Sequence, residues 1–267
     1  MLKMAHNNDS RHLAQRYLAA CAVARDAGKL ALDYFEDVSQ LTVEFKGKQD
    51  VTTTADREVE ELIFTTLAKS FPEDGFLAEE RGGAVSSKLW VIDPIDGTAN
   101  FIRGIPYFCI SIAYLVEGEV EIGVIYDPVA DELFAARRGF GATRNGKVIQ
   151  VSDCQDITKA IAACDLGYKT SVERSIEVSK TLLEAQCHPR CFGAGALAIA
   201  QVADSRLDAY WNLHHNPWDA LAGWLLVREA GGWVSDFLGG EGLSQGNSIL
   251  VCTPGIKDFL IAATGIP

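Results

Sequence analysis

Two carboxylates three residues apart, Asp93 and Asp96, close an apolar run over 89–92 in the stretch Trp90-Val91-Ile92-Asp93-Pro94-Ile95-Asp96-Gly97-Thr98-Ala99-Asn100-Phe101. A short, bounded apolar run reads as a buried strand. Pro94 has no N–H for a ladder and is expected to stop the strand. Gly97 lets the backbone turn and come close to a ligand. Both carboxylates then lie at the carboxyl-terminal edge of a sheet, where open α/β folds seat their ligands. Carboxylates this close repel unless a cation or a shared proton stands between them. Hard oxygen ligands suit Mg²⁺, and Mg²⁺ usually arrives with a phosphate. A Ca²⁺ loop of the EF-hand kind fails, because Pro94 and Ile95 take its ligand positions. A plain Asp-Gly turn explains Asp96-Gly97 and nothing else in the stretch.

The rest of the composition fits an acidic enzyme-sized chain. Its 267 residues can bury a substantial core, as one large domain or two halves. Thirty-six acidic residues against 24 basic ones give a formal charge of −12. That disfavours nucleic acid or an anionic membrane as the partner, and an acidic protein acting on phosphate needs cations between the two. The seven cysteines are odd in number and lie mostly in apolar segments, which reads as free thiols in a reducing cytoplasm. Cys187-His188-Pro189-Arg190-Cys191 has no second Cys/His pair beside it, so zinc is not expected. The polar start, 1–11, lacks the apolar core of a signal peptide. No apolar run approaches the roughly 20 residues that span a bilayer.

The elements that must position the carboxylates follow from periodicity. Helical spacing of Leu13, Tyr17, Ala20, Ala24, Ala27, Ala31 and Tyr34 predicts a helix over 10–35 with Ser10 as its cap. A strand over 41–45, a polar loop from Lys46 to Asp56 and a helix over 56–70 come next. Residues 76–80 read as a strand ending in Glu79 and Glu80; neighbours on a strand face opposite ways, so one of the two should face a ligand. Strands over 109–116 and 120–126 form a hairpin about Glu117-Gly118-Glu119. Strands over 132–136 and 142–151, turning at Asn145-Gly146, extend an antiparallel sheet. A composition shift over 153–159 divides the chain into an α+β half, 1–153, and an α/β half, 154–267. The second half reads as strands over 161–164, 207–211, 233–236 and 249–252. Its helices span 171–185, 194–203, 219–230 and 255–263, the third stopped by Gly231-Gly232.

The central stretch resembles the signature of the inositol monophosphatase family of Mg²⁺-dependent, Li⁺-sensitive phosphatases: an aromatic, apolar residues, then Asp-Pro-Ile/Leu-Asp-Gly-Thr-x-Asn-Phe. Pro217-Trp218-Asp219-Ala220-Leu221-Ala222-Gly223 with Glu229-Ala230-Gly231-Gly232 resembles the family's second signature, with Leu221 where a small residue is usual. Asp56 and Glu60 match an Asp and a Glu that follow a Lys-rich loop, to which Lys46 belongs, and Ala78-Glu79-Glu80 matches a Gly-Glu-Glu. The resemblance runs from the first helix to the last. It implies a layered αβαβα sandwich of the inositol monophosphatase and fructose-1,6-bisphosphatase type, and a cytoplasmic homodimer. It implies two or three Mg²⁺ ions on Glu79, Asp93, Asp96, Asp219 and the Ile95 carbonyl. Thr98, with Asp56 behind it, would orient and deprotonate a metal-activated water; the N–H groups of Gly97 and Thr98 would hold phosphate oxygens.

The substrate implied is a small phosphate ester, inositol 1-phosphate or a similar polyol phosphate, met by Gly195, Asn212 and Asp219. Here the chain departs from the family. Gly193-Ala194-Gly195-Ala196 replaces Gly-Thr/Ser-Ala-Ala, and Asn212 stands where a Glu binds a sugar hydroxyl. Losing a hydroxyl and a carboxylate removes contacts that discriminate polyols. Relatives acting on histidinol phosphate, fructose 1,6-bisphosphate or 3′-phosphoadenosine 5′-phosphate supply the alternatives, with Trp211 as a base-stacking candidate. His214 and His215 lie at the pocket rim, where they could touch substrate, but read as exposed loop residues. A metal-binding regulatory protein on the same scaffold is the non-enzymatic alternative; the intact set Glu79, Asp93, Asp96, Thr98 and Asp219 argues against it.

Overall fold

The computed structural model describes residues 2–47, 50–165 and 170–267. The chain order is α1 (Leu2–Glu36), β1 (Val43–Gly47), β2 (Asp50–Thr53), α2 (Thr54–Ser70), β3 (Gly75–Ala78), β4 (Gly82–Gly83), β5 (Lys88–Asp96) and α3 (Thr98–Phe101). It continues with β6 (Cys109–Val116), β7 (Glu119–Asp127), β8 (Glu132–Arg137), β9 (Ala142–Arg144), β10 (Lys147–Ile149), β11 (Ala162–Cys164) and α4 (Val172–Glu184). It ends with α5 (Gly195–Ala203), β12 (Ala209–His215), α6 (Pro217–Glu229), β13 (Trp233–Val234), α7 (Gly242–Gln245), β14 (Asn247–Cys252) and α8 (Lys257–Thr264).

Alternation along β5 sets the layers. Trp90 and Ile92 face one way and Leu89 and Val91 the other, all fully buried, as period-two side chains require of a sheet covered on both faces. Among the described residues, β5 sits in an eight-stranded sheet of order β10-β9-β8-β7-β6-β5-β3-β4. Only the β3–β5 pair in it is parallel. The Trp90 face packs on α1 and α2. The Val91 face packs on α5 and α6, whose far side meets Tyr210, Ile249 and Val251 of a four-stranded sheet, β11-β12-β14-β13. The outer face of that sheet, with Ala209, Trp211 and Leu250, is closed by α4 and α8. The result is the expected αβαβα sandwich. No helix among the described residues is long and apolar enough to cross a membrane, and no cysteine is disulfide-bonded.

Local expectations needed correction in four places. First, α1 starts at Leu2, so Ser10 lies inside the helix, where its Oγ and carbonyl accept from Arg137; nothing in 2–9 is a Pro or Gly that would stop it. Second, the loop read after Lys46 is mostly strand, because β-branched Val51-Thr52-Thr53 favours pairing of β2 with β1; Lys48 and Gln49 lie outside the described residues. Third, Pro94 does not end β5. The pairing steps from Asp93↔Ser111 to Asp96↔Cys109, so Pro94 sits in a bulge that asks no N–H of it. Fourth, His215 is a buried residue of β12 rather than an exposed loop residue.

Helix α6 is pressed hard onto the eight-stranded sheet. A Cβ on Gly123 of β7 would stand 2.4 Å from the Ala222 carbonyl oxygen, and one on Gly223 would stand 2.5 Å from Ile199 of α5. Leu221, in place of a small residue, is fully buried in the same layer. Gly123 therefore sets the height of the helix that carries Asp219, and Gly223 sets its distance from α5. Gly123→Ala is expected to lift α6 and cost about 1–3 kcal/mol by overpacking, read as a lowered urea midpoint with an unchanged slope.

Candidate active site

Parallel strands present their carboxyl ends together. β3 and β5 pair Ala78 with Ile92, so Glu79 and Asp93 emerge side by side, and the Glu79 N–H donates to the Ile92 carbonyl at 3.1 Å. The turn after β3 is held by Glu60 of α2, which is 3 % exposed and accepts the N–H groups of Glu80 and Arg81 at 2.8 and 2.9 Å. The bulge in β5 then brings Asp96 out beside Asp93, whose Oδ1 accepts from the Ile95 N–H at 3.0 Å. Gly97 follows with φ of 97°, a left-handed conformation, and a Cβ there would meet Ala194 and the carbonyls of Tyr107 and Gly193.

Three helix starts point at this corner. Asp56 is the third residue of α2 and closes a reciprocal cap with Thr53. Asp219 is the third residue of α6 and does the same with Asn216. The start of α5 has no side-chain cap of its own; Asp96 supplies one from β5, its Oδ2 accepting from the Ala196 N–H at 2.8 Å. Helix N-termini favour negative charge, which is how an acidic corner is tolerated in the fold.

Carboxylate oxygens of Asp93, Asp96 and Asp219 all lie within 4.8 Å of one another. Glu79 stands at the edge of this trio with 22 % side-chain exposure. Lys46 Nζ is 3.6 Å from its Oε1 and 2.5 Å from Glu80 Oε1. Burial and then Asp219 push Glu79 up to about 8, against Lys46. Burial and then Asp219 push Asp96 up to about 7, against His215. Burial, followed by Glu79, Asp219 and Asp96, holds Asp93 well above the usual carboxylate range. Burial opposes Asp219 too, yet His215, Asp93 and Asn216 keep it below that range. These are oxygen donors with a surplus of negative charge, a set suited to hard divalent cations. Thr98 Oγ1 lies 3.0 Å from the Ile95 carbonyl and 3.1 Å from Asp56 Oδ1, and burial pushes Asp56 up to about 6 despite its bonds from Thr53.

Among residues expected to meet substrate, Gly195 begins α5 against Tyr210 and His215. Asn212 is 4 % exposed, and its Oδ1 accepts the His214 N–H at 3.1 Å. Two residues at the site escaped the sequence reading, Asp165 and Tyr210; through His215, which was read only as a rim residue, they are linked to Asp219 by hydrogen bonds. Their separation in sequence carried no local signal.

The layered αβαβα sandwich thus places an acidic corner at the carboxyl ends of its strands, where α/β folds seat their ligands. The sequence model of the inositol monophosphatase family matches residues 12–265, and the chain belongs to that family. It is 38 % identical over 250 residues to the inositol-1-monophosphatase of Mesorhizobium japonicum, covering 91 % of this chain and 94 % of that one. It is 37 % identical over 248 residues to the Nus factor SuhB of Escherichia coli, covering 91 % and 93 %. The crystal structure of the extragenic suppressor protein suhB from Bartonella henselae superposes with a TM-score of 0.86 at 35 % identity, over 92 % of this chain and 96 % of that one.

Carboxyls with raised values stabilise the metal-free fold while protonated and lose that contribution as pH rises through the folded value. With Asp56, Asp96 and Glu79 at about 6, 7 and 8, the Tm of chelator-treated protein should fall between about pH 5 and about pH 8.5, and millimolar Mg²⁺ should abolish most of the fall. Glu60→Ala, which strips two N–H groups of their acceptor, should loosen the Glu79 turn and weaken Mg²⁺ binding by about tenfold, whereas Glu60→Gln, which keeps one acceptor oxygen, should lose less; calorimetric titration reads both.

Proposed function

We propose that this protein is a Mg²⁺-dependent phosphomonoesterase of small phosphorylated metabolites, with inositol 1-phosphate or a similar polyol phosphate as substrate. The observation that carries the reading is the Asp93, Asp96 and Asp219 trio within 4.8 Å, beside a Thr98 hydroxyl backed by Asp56 at 3.1 Å. Glu79, Asp93, Asp96, Asp219 and the Ile95 carbonyl are assigned as ligands of two or three Mg²⁺ ions, which when bound supply charge for the phosphate and the leaving alkoxide.

The chain's own groups divide the remaining work. Asp56 Oδ2 is held by the Thr53 N–H and hydroxyl, which leaves Oδ1 to Thr98. The Thr98 hydroxyl has one proton and two acceptors, so giving it to Asp56 leaves the oxygen able to take a proton from an attacking water. Asp56 is thereby the base and Thr98 the relay, a pairing within hydrogen-bond reach as general-base catalysis requires. The N–H groups of Gly97 and Thr98 are assigned to the phosphate oxygens. No side chain is asked to become phosphorylated.

For the alcohol portion, Gly195, Asp219 and Asn212 are the assigned wall. Asn212 Oδ1 already serves the His214 N–H, and its neutral amide offers a hydroxyl a weaker acceptor than the carboxylate of a Glu, which favours a permissive pocket over a strict polyol one. Trp211 is fully buried on the outer face of the four-stranded sheet, which removes it as a platform for a nucleotide base. Histidinol phosphate therefore ranks above 3′-phosphoadenosine 5′-phosphate among the alternatives. Family membership supports a cytoplasmic homodimer, and the charge of −12 disfavours nucleic acid or an anionic membrane as the partner.

A second reading, a regulatory protein on the same scaffold, draws on the Escherichia coli relative, which bears the name of a factor rather than an enzyme. One experiment separates the two. Phosphate release is measured from inositol 1-phosphate, β-glycerophosphate, histidinol phosphate, fructose 1,6-bisphosphate and 3′-phosphoadenosine 5′-phosphate, with and without Mg²⁺ and Li⁺. Mg²⁺-dependent, Li⁺-inhibited release is expected, strongest with a polyol phosphate. Asp96→Asn is expected to abolish turnover with the thermal transition retained; an active Asp96→Asn protein would overturn the assignment.

A further inference from the structure

A buried line of hydrogen bonds leaves the acidic corner through Asp219. His215 Nδ1 is 3.1 Å from Asp219 Oδ2, His215 Nε2 is 2.9 Å from the Tyr210 hydroxyl, and that hydroxyl is 2.9 Å from Asp165 Oδ2. Asp165 Oδ1 in turn accepts the Gly193 N–H at 3.1 Å. The Tyr210 and His215 rings stack at 5.7 Å between centroids, 24° from parallel. Tyr210 is fully buried, and the His215 side chain keeps 8 % exposure.

His215 reaches this place by a backbone irregularity. On a regular strand it would share the face of Trp211 and Leu213, which pack toward the outer helices. Between Asn212↔Ile249 and His215↔Asn247 the β12 register shifts by one residue, and Asn212 Oδ1 takes the His214 N–H within that bulge. One extra residue reverses the alternation, so His215 turns inward onto the face of Tyr210.

Two of the three clustered carboxylates rest on this arrangement. Asp219 Oδ2 is tied by His215 Nδ1, by Asn216 Nδ2 at 3.1 Å and by the Asn216 N–H at 3.4 Å. These bonds converge on one oxygen, Oδ2, and fix the orientation in which Asp219 faces Asp93 and Asp96. Asp96 is fixed by the start of α5 through Ala196. That start is seated on the same pair of rings: a Cβ on Gly195 would stand 2.4 Å from His215 Nε2 and 2.6 Å from Tyr210 Oη.

We propose that His215, braced by Tyr210 and Asp165, is a positioning residue that orients Asp219 for cation binding. The inference rests on reading Asp93, Asp96 and Asp219 as a Mg²⁺ site. Partners of ligating carboxylates of this kind set both orientation and affinity.

The test is Mg²⁺ titration by calorimetry on the full chain without substrate, beside kcat, KM and near-ultraviolet circular dichroism. The variants are His215→Ala, His215→Asn, His215→Gln and Tyr210→Phe. An Asn amide falls near Nδ1 and keeps the bond to Asp219; a Gln amide falls near Nε2 and keeps only the bond to Tyr210. Mg²⁺ affinity is expected to fall about 10- to 100-fold in His215→Ala and His215→Gln, to recover to within about threefold of wild type in His215→Asn, and to fall about 3- to 10-fold in Tyr210→Phe. In His215→Ala, kcat should recover at saturating Mg²⁺ while KM for the ester stays near wild type. A folded His215→Ala protein with wild-type affinity, or Gln rescuing as well as Asn, overturns the inference. Should His215→Ala not fold, the Asn and Gln variants decide alone. A wild-type protein that takes up no Mg²⁺ overturns the metal reading first and this inference with it, whereas failure of the variants alone leaves that reading standing.

Discussion

Like charges drawn into one largely buried corner repel, and the architecture is arranged around that repulsion. Asp93 and Asp96 are 1 % and 8 % exposed, and Asp219 and Glu79 crowd them from the sides. Left to itself such a group would protonate or push apart. What holds it together is a converging set of donors: the Ile95 N–H on Asp93, the Ala196 N–H on Asp96, and His215 with Asn216 on Asp219. These donors satisfy single oxygens and do not relieve the repulsion, which holds Asp93, Asp96 and Glu79 above the usual carboxylate range. The corner therefore keeps its demand for a cation while keeping its shape, which distinguishes a poised site from a collapsed salt-bridge network.

Two bulges and a handful of glycines make the geometry possible. The bulge in β5 brings Asp96 to the same edge as Asp93, and the bulge in β12 turns His215 toward Asp219. Gly97, Gly123 and Gly195 admit the close approaches of loop to loop, helix to sheet and helix to ring. Each irregularity is local, and each serves a contact between segments far apart in the chain.

That division explains what the sequence could convey. Asp93, Asp96 and Thr98 stand within six residues, and the unbroken apolar run from Leu89 to Ile92 states that both faces of β5 are covered; that grouping and that burial were legible. The layered sandwich followed from family resemblance. Asp56 was legible as an acid at a helix start, though as the third residue of a reciprocal cap rather than the cap itself. His215 was not, because its inward orientation depends on one extra residue in a strand pairing that no composition announces. Asp165 meets Tyr210 across 45 residues, and the grip of Glu60 on the turn after β3 crosses 20. Contacts of that kind have no period to detect.

The shared middle layer has a consequence for how the chain is made. Strands β6 to β10 each pair with the strand before them, so this sheet can assemble as it leaves the ribosome. Its inner face, with Val91, Ala113, Leu115, Ile125 and Phe134, is covered by α5 and α6, and α6 ends at Glu229, about 80 residues past the end of β10 at Ile149. At a synthesis rate of about 5–20 residues per second, that apolar face stands open for about 4–16 seconds on every nascent chain. The same helix that completes the acidic corner also closes this face, so a chain cut short before α6 lacks Asp219 and exposes a surface that chaperones and proteases recognise.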